Sequence, residues 1–267
     1  MTDERATVTA DREEGSRDAV VVAFDEFLRR GALERDWPAW AALFTDDAHY
    51  VEHGLGTFDG ASGVKDWIVA QMAEFACMTF SVEWWMTDGS TVAFWLWNHL
   101  PDPKGRGREY AFPNGSLITY AGDALWSSEE DFYNPFDAAA VVAAWLKAGG
   151  RTDLPAEPDL RPRRRSHPPL PAAPDQAVAH AVAEALVSEN WLDLVDTSGA
   201  EYHDHGGQPI ERWSGVPRRE IRRVVDGARV AVVVEHELPA LLVAHVNEHG
   251  RVVYLDHVYN PKDRTRA

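Results

Sequence analysis

The sequence predicts an α+β fold that occurs twice along one chain. Apolar residues recur first at three- and four-residue spacing, which is typical of amphipathic helices, and then at every second residue, which is typical of strands. Both patterns appear before and again after a segment rich in proline and arginine. The stretch "HYVEHGLG", from position 49, also returns in outline as "EYHDHGGQ", from position 201. We therefore expect two related domains, each with N-terminal helices on a curved antiparallel sheet.

Helices open the first copy. Val21 and Phe24 mark the apolar side of a helix that starts near Ala19. A second, short helix is predicted in "DWPAWAALF", where Asp36 is suited to cap the first turn and the proline needs no N–H partner. The stretch "GASGVKDWIVAQMAEF" predicts a third helix with Ser62 as its N-cap.

Strands make up most of the rest of the first copy. "AHYVEH" predicts a strand before the third helix, and four longer runs follow that helix: "MTFSVEWWM", "STVAFWLWNHL", "REYAFPNGSLITYA" and "LWSSEEDFYNP". A helix, "FDAAAVVAAWLKAGG", closes the copy. The expected organisation is a disordered N-terminus (1–18), a complete domain (19–148), a Pro/Arg-rich linker (149–175), a shortened second domain (176–262) and a tail (263–267).

The second copy repeats the first with pieces missing. Three of its residues correspond to three of the first copy at an offset of 152 residues, namely Tyr202, Asp204 and His205 to Tyr50, Glu52 and His53. Further on, "GARVAVVVEHELP" corresponds to "GSTVAFWLWNHLP", and "LDHVYNP" to "EEDFYNP". Because the offset shrinks along the chain, we expect the second copy to lack most of the third helix, the first long strand and a stretch near "DPKGRGREYAF".

Composition disfavours several classes of function. A formal net charge of −17 repels phosphate backbones and anionic lipid, so neither nucleic acid nor a membrane surface is an expected partner. The charged N-terminus lacks a signal-peptide core and no apolar run has the length of a membrane span, which predicts a soluble cytoplasmic protein. The single cysteine, Cys77, predicts an inert buried thiol. No glycine-rich phosphate loop is present, and no cofactor is expected.

The front of the first copy carries a family resemblance. Three helices followed by a curved sheet, with "LFTDDAHYVEHGLGTFDGASGVKDWI" at the front, resemble the SnoaL-like branch of the NTF2-like (cystatin-like) superfamily. The resemblance covers residues 19–147 and, in trimmed form, 176–262. It implies cones with an apolar pocket that pair through their sheets. Since one chain supplies both cones, we expect the two copies to pair within the chain, which then remains a monomer.

The superfamily also suggests a chemistry. It includes ketosteroid isomerases, polyketide cyclases, scytalone dehydratase and limonene epoxide hydrolase, together with many proteins that bind without catalysis. The resemblance places Glu52 where ketosteroid isomerases have the carboxylate that removes a proton next to a carbonyl. Tyr50 shares the strand face of Glu52. The isomerases also use a protonated Asp as a donor, whereas "FWLWNHLP" offers Asn98 or His99 in its place.

Further side chains complete the predicted site. His53 with Asp131 or Glu52 is a candidate acid–base dyad. Tyr110 and Tyr133 are candidate ligand contacts, and Tyr133 is expected on the same strand face as Asp131. Epoxide hydrolysis has less support, because the first copy has no strand arginine apart from one beside a loop.

The tryptophans leave two interpretations open. Trp85, Trp95 and Trp97 are expected on one sheet face, with Trp84 on the other. They either fill the core or the interface between copies, or they line a pocket for a flat polycyclic or terpenoid ligand.

The second copy is rich in histidine, with His203 and His205 alternating on one strand. Their spacing does not make three or four ligands converge, so no metal site is expected.

The sequence as a whole predicts a cofactor-independent isomerase, lyase or cyclase that acts on a small hydrophobic carbonyl or polyketide-like compound. Glu52 is the expected general base, and Tyr50, His53 and His99 are the expected hydrogen-bond donors. Two alternatives remain, a binding protein without catalysis and an accessory subunit of another protein.

Overall fold

The structure, a computed structural model, describes residues 17–53, 55–156, 166–188, 191–196, 199–204, 219–235 and 239–259. The chain divides into two compact units, the first comprising residues 1–131 and 139–164 and the second residues 132–138 and 165–267. Each unit has helices and one sheet, which confirms the predicted α+β class. Within the described ranges no helix has both the length and the apolarity needed to cross a bilayer.

Helices precede the first sheet as predicted. Helix α1 covers residues 17–28 and continues as a π-helical turn, Arg29–Glu34. Helix α2, Trp37–Ala41, begins at the expected cap, since the Asp36 carboxylate accepts a hydrogen bond from the Ala39 amide over 3.1 Å. Helix α3 runs over Gly60–Glu74 and helix α4 over Pro135–Lys147.

The N-terminus of α3 differs from the prediction. The helix begins at Gly60, so Ser62 lies inside its first turn and does not cap it. Asp59 holds the cap position without capping through its side chain. Its carboxylate instead lies 2.7 Å from Nδ1 of His49 on the adjacent strand. A cross-strand partner therefore takes the side chain that would otherwise cap the helix.

Gly60 is expected to be required for this tight entry into α3. Its φ is +71°, and an added Cβ would lie 2.6 Å from the carbonyl oxygen of Asp46. We expect Gly60→Ala to lower the free energy of unfolding by about 1–3 kcal/mol, measured by urea denaturation. Gly63→Ala in the same helix is the control, because its Cβ would meet only the Phe58 backbone at 3.7 Å. Equal losses from both substitutions would contradict the assignment.

The first sheet has six strands in the order β2-β1-β6-β5-β4-β3. Their bounds are β1 Phe44–Glu52, β2 Gly56–Asp59, β3 Thr79–Asp88, β4 Thr91–Leu100, β5 Tyr110–Gly122 and β6 Leu125–Phe132. Antiparallel pairing joins β1 to β2 and β4 to both β3 and β5. The expectation of a purely antiparallel sheet is wrong at one place, because β1 and β6 run parallel. After β2 the chain crosses to the far edge of the sheet and returns through β3, β4, β5 and β6 in turn, which brings β6 beside β1 in the same direction.

One face of this sheet packs against the helices. Phe24 of α1 lies 5.3 Å, between ring centroids, from Phe94 of β4 and 6.4 Å from Trp126 of β6. We call this the inner face and the opposite side the outer face. Because side chains alternate along a strand, the register of β4 assigns its even-numbered residues to the inner face and its odd-numbered residues to the outer face.

The second unit repeats this topology. Helix α5 covers Gln176–Ala185, and a short 3₁₀ helix covers Trp191–Leu194. The strands are β7 Glu201–Asp204, β8 Arg219–Asp226, β9 Arg229–Glu235, β10 Ala240–Val246 and β11 Val252–Tyr259. Their order, β7-β11-β10-β9-β8, is that of the first sheet without β2, and β7 runs parallel to β11 as β1 does to β6. The matching order is consistent with the internal duplication read from the sequence.

One expectation about the second copy is wrong. The first long strand, expected to be missing, is present as β8 and pairs with β9 as β3 pairs with β4. Residues 205–218, between β7 and β8, lie outside the described residues.

Candidate functional site

The parallel pairing of β1 with β6 gathers four ionisable side chains on the inner face. The register sets Tyr50 opposite Glu129 and Glu52 opposite Asp131. All four residues are buried, with exposed fractions of 3 to 6%. We call Tyr50, Glu52, Glu129 and Asp131 the acid cluster. Three carboxyl groups so close together in an apolar interior cannot all be ionised without a large electrostatic cost.

Asp131 is the most heavily hydrogen-bonded member of the cluster. The Tyr50 hydroxyl donates to its Oδ2 over 2.5 Å. The Ser116 hydroxyl donates to its Oδ1 over 2.5 Å, and Asn114 Nδ2 donates to the same oxygen over 3.1 Å. Both of these donors come from the neighbouring strand β5. Three donors on one carboxyl group hold Asp131 and Tyr50 in fixed positions.

Glu129 is in the opposite situation. It is 4% exposed, and its Oε2 has no hydrogen-bond partner among the described residues. Burial raises the pKa of its carboxyl group well above the ordinary 4.5, and the negative charges of Asp131 and Glu52 raise it further. The protonated form of Glu129 is therefore favoured. A protonated carboxyl group can donate a hydrogen bond or a proton.

Tyr50 is likewise held in its neutral form. Burial is the main cause that raises the pKa of its phenol well above 10, followed by the charges of Asp131, Glu129 and Glu52 and by the hydrogen bond to Asp131. Its hydroxyl therefore remains a donor throughout the physiological pH range.

Aromatic rings border the acid cluster. The ring of Trp67, on α3, lies 4.6 Å from that of Tyr50 and stacks on Phe58 of β2 at 4.7 Å. The indole Nε1 of Trp67 is buried, and no partner for it exists in the described part of the chain. The site thus combines an apolar wall with two buried polar atoms, Nε1 of Trp67 and Oε2 of Glu129, to which a ligand can hydrogen-bond.

Of the three tryptophans predicted to line a pocket, Trp85 lies on the inner face, whereas Trp95 and Trp97 lie on the outer face. The register of β3 against β4 shifts between Val82 and Trp84, so Trp84 pairs with Trp95, and Trp85 pairs with Phe94. The expected grouping of Trp85 with Trp95 and Trp97 is therefore wrong. The extra residue at this bulge reverses the faces of the residues that follow it. Trp85 lies on the inner face, whereas Trp84 and Trp95 stack at 6.3 Å on the outer face.

Both predicted catalytic histidines lie away from the acid cluster. His99 is on the outer face, where its Nε2 lies 2.7 Å from Ser81 Oγ. His53 Nε2 lies 2.8 Å from Glu130 Oε1, so this nitrogen pairs with Glu130 and not with the predicted partners Glu52 or Asp131. Strand alternation explains this, because Glu130 points to the face opposite to that of its neighbours in β6.

The other site residues predicted in the first copy lie at different places in the fold. Asn98 is on the inner face, and Tyr110 is buried in the core at the start of β5, with the Arg108 guanidinium 5.0 Å above its ring. Tyr133 follows the end of β6 and belongs to segment 132–138 of the second unit, so the expected strand face shared with Asp131 does not exist.

In the second copy, Tyr202 and Asp204 lie on β7, and His205 lies outside the described residues. Among the residues that the structure describes, no three or more His, Cys, Asp or Glu side chains are arranged to hold a metal ion.

Sequence reasoning missed Glu129, Trp67, Phe58, Asn114 and Ser116. One signal for Glu129 was available, because it alternates with Asp131 on the last strand of the first copy. Its position opposite Tyr50 follows only from the parallel pairing of β1 and β6, which links strands far apart in sequence.

Cys77 is buried, as expected, and burial raises the pKa of its thiol. Because the thiolate is the reactive form, we expect Ellman's reagent to leave the native chain unmodified at pH 8 and to titrate one thiol after denaturation. Rapid labelling of the native chain would show that this part of the first unit opens readily.

Comparisons with known proteins found one family model and several solved structures. A family model described as a SnoaL-like domain matches residues 21–129. A ketosteroid isomerase-like protein from Catenulispora acidiphila, solved with trimethylamine, is 20% identical over 51% of this chain and 95% of its own, with a TM-score of 0.37. An LEH-like epoxide hydrolase from M. tuberculosis is 16% identical over 49% of this chain and 94% of its own, with a TM-score of 0.39. An NTF2-like protein from Burkholderia pseudomallei is 15% identical over 46% and 97% of the two chains, with a TM-score of 0.40. No curated protein matches the sequence.

Proposed function

Because the first unit of this chain is a SnoaL-like domain of the NTF2-like superfamily, we propose that it is a cofactor-independent isomerase, lyase or cyclase acting on a small hydrophobic carbonyl compound of the polyketide or steroid type. The observation that supports this proposal is Oε2 of Glu129, a buried carboxyl oxygen without a partner among the described residues, beside the hydrogen-bonded pair of Tyr50 and Asp131. A carboxyl group kept protonated next to other carboxyl groups can act as an acid where a neighbour acts as a base.

The proposed reaction separates these two roles. Glu52 removes a proton from the carbon next to the substrate carbonyl, and the electron pair moves to the carbonyl oxygen. Glu129, in its neutral form, donates a hydrogen bond to that oxygen and stabilises the enolate. Glu52 then returns the proton to another carbon, which completes an isomerisation, or a leaving group departs, which completes an elimination.

The other residues of the site fix this geometry. Asp131 holds Tyr50 through their hydrogen bond, and Ser116 and Asn114 hold Asp131. Phe58 and Trp67 supply the apolar contact for the substrate ring. Trp85 on the inner face is a second candidate contact, whereas Trp95 and Trp97, on the outer face, have no place in this proposal.

Fluorescence titration tests whether a ligand binds at this site. We expect steroids or polycyclic ketones to quench tryptophan fluorescence saturably, and we expect Trp67→Phe to remove most of that quenching. Trp95→Phe, on the outer face, is the matched control and should leave the ligand-dependent quenching unchanged. If Trp95→Phe removes the quenching and Trp67→Phe does not, the ligand binds elsewhere.

Turnover of the same compounds decides between an enzyme and a binding protein. We expect bound ketones to exchange the proton next to the carbonyl for deuterium in D₂O, as measured by mass spectrometry. Saturable quenching without exchange or product would support the alternative, a ligand-binding or accessory protein. Hydrolysis of terpenoid epoxides alone would point to a hydrolase.

Three further parts of the proposal come from the sequence alone. The two copies are proposed to pair within one chain, so that sedimentation should give the mass of a single chain, 29.8 kDa. A mass of two chains would contradict this. The proposed location is the cytoplasm, and neither nucleic acid nor a membrane is a proposed partner.

A further inference from the structure

Two polar residues of strand β5 direct their hydrogen bonds at one member of the acid cluster. Asn114 and Ser116 lie opposite Leu96 and Phe94 of β4, which places both on the inner face. Their exposed fractions are 8% and 0%. Asn114 Nδ2 donates to Ser116 Oγ over 2.9 Å and to Asp131 Oδ1 over 3.1 Å, and the Ser116 hydroxyl donates to the same Asp131 oxygen. The hydrogen bonds of both β5 residues therefore converge on Asp131.

The chemistry of the donors fixes the direction of these hydrogen bonds. Ser116 Oγ accepts from the amide of Asn114, so its own hydrogen is left for the carboxyl group of Asp131. The Asn114 amide turns its nitrogen toward two acceptors, and its buried Oδ1 has no partner among the residues that the structure describes. The orientation of this amide thus serves Asp131 while one of its own polar atoms stays unpaired within the described ranges.

This arrangement favours an ionised Asp131. An ionised carboxylate only accepts hydrogen bonds, and Oδ1 receives the two donors from β5 while Oδ2 receives the Tyr50 hydroxyl. A proton on either oxygen would face a donor hydrogen, and at least one of these hydrogen bonds would be lost. Hydrogen bonds to a charged acceptor are also stronger than those to a neutral one.

Glu129 has the opposite surroundings. Both amide hydrogens of Asn114 and the hydroxyl hydrogen of Ser116 are used on other acceptors, so neither residue donates to Glu129. The charge of Asp131, two positions away on β6, adds to burial in raising the pKa of the Glu129 carboxyl group. When neighbouring buried carboxyl groups cannot both be ionised, the proton resides on the one whose charge is least stabilised. In this pair that group is Glu129.

We propose that Asn114 and Ser116 are positioning residues that hold the negative charge on Asp131 and thereby leave the proton on Glu129. Neither residue takes part in bond making or breaking. The neutral Glu129 then serves as the donor to the enolate oxygen. This last role rests on the function proposed above, whereas the position of the proton is a property of the chain without substrate.

Carbon-13 NMR of the substrate-free full chain tests the position of the proton. The carboxyl carbon of a glutamate or aspartate resonates at different positions in the neutral and ionised forms, so each group can be followed in chains labelled at that carbon. The two signals are assigned by their loss in Glu129→Gln and Asp131→Asn. In the wild-type chain at pH 7 we expect a neutral Glu129 and an ionised Asp131.

Removing the donors of β5 should move the proton. In the double variant Ser116→Ala, Asn114→Leu, the Glu129 signal should shift toward the ionised position and the Asp131 signal toward the neutral position. Each lost hydrogen bond to a charged acceptor changes the equilibrium of the shared proton by about tenfold or more. A purely structural role of the two side chains would not move two signals in opposite directions. Each single variant should give a smaller shift in the same sense, and near-UV circular dichroism checks that every chain is folded.

Ser81→Ala is the matched control. Ser81 is also a fully buried serine of the first sheet, but its Oγ lies 2.7 Å from His99 Nε2 on the outer face. This substitution should leave both carboxyl signals in place. Equal movement in Ser81→Ala and Ser116→Ala would show that the proton responds to any loss of a buried hydroxyl, which would overturn the proposal.

The possible results separate this inference from the proposed function. Unchanged Glu129 and Asp131 signals in the variants without β5 donors would overturn the inference, and so would an ionised Glu129 in the wild-type chain. Ketone turnover without reciprocal movement would support the proposed reaction and contradict the inference. Reciprocal movement in a chain that turns over no ketone would support the position of the proton and contradict the proposed reaction.

Discussion

Replacing Glu52 with Gln is expected to lower ketone turnover by the first unit by about 10²–10⁴-fold, the usual contribution of a positioned general base. Gln has nearly the shape of Glu but cannot take up a proton at neutral pH. Glu52 is 5% exposed and opposite Asp131 in the register of β1 and β6, so no solvent base can readily replace it. Single-turnover measurements with a ketone that binds should show the loss in the chemical step, while the dissociation constant changes little.

Glu130→Gln is the matched control for this substitution. Glu130 is also buried and lies on β6 next to two members of the acid cluster, but its carboxylate contacts His53 on the other face. We expect this variant to retain turnover within about threefold, since exchanges away from the reacting atoms are usually small. An equal loss from both substitutions would mean that the pair of His53 and Glu130 matters as much for turnover as Glu52, which would contradict the assignment of Glu52 as the base.

Replacing Glu129 with Gln is expected to make the first unit more stable at alkaline pH. Between the ordinary pKa of 4.5 and the raised pKa in the fold, the folded chain holds a proton on Glu129 that the unfolded chain has released. Across this window the contribution of Glu129 to the free energy of unfolding falls by about 1.4 kcal/mol for each pH unit. It is fully present below 4.5 and stops falling above the folded pKa.

Gln resembles the protonated carboxyl group and does not titrate. The variant should therefore match the wild type near pH 4 and exceed its free energy of unfolding by a growing margin toward pH 8, as measured by urea denaturation at several pH values. Glu74→Gln, at the exposed end of α3, is the control and should run parallel to the wild type. A constant difference between Glu129→Gln and the wild type would show that Glu129 is ionised in the folded chain.

The same variant tests the catalytic role of Glu129. An amide still donates a hydrogen bond to an enolate oxygen but supplies no proton, so activity should fall less than in Glu52→Gln. A stabilised chain with lower activity is the expected result where a site is built from buried acids at the expense of stability.

Local sequence patterns were sufficient for most elements of the fold. The cap at Asp36, the long strands of the first copy and the helix at the start of each copy all follow from periodicity and short-range hydrogen bonding. The predicted cap at Ser62 is wrong, because the helix begins two residues earlier and Asp59 holds the cap position. The side chain of Asp59 contacts His49, ten residues earlier in the sequence, through the pairing of β1 and β2.

The site was predictable only where it depends on alternation within one strand. Tyr50 and Glu52 share a face, as expected, because they are two positions apart on β1. The faces of Trp84 and Trp85 were assigned wrongly, because a bulge in β3 inserts one residue and reverses the alternation. A bulge has no clear signature in a run such as "SVEWWM".

By itself, the sequence determined that α+β patterns occur both before and after the Pro/Arg-rich segment, that the chain is strongly acidic, and that Tyr50 and Glu52 face the same way. These properties depend on composition, on repeated motifs and on the period of local structure. Only the tertiary structure decided that Glu129 and Asp131 join them, and that His257 joins Asp204. Those partners come from the parallel pairing of the first and last strands of each unit, and contacts between strands so far apart in sequence are fixed by the sheet order.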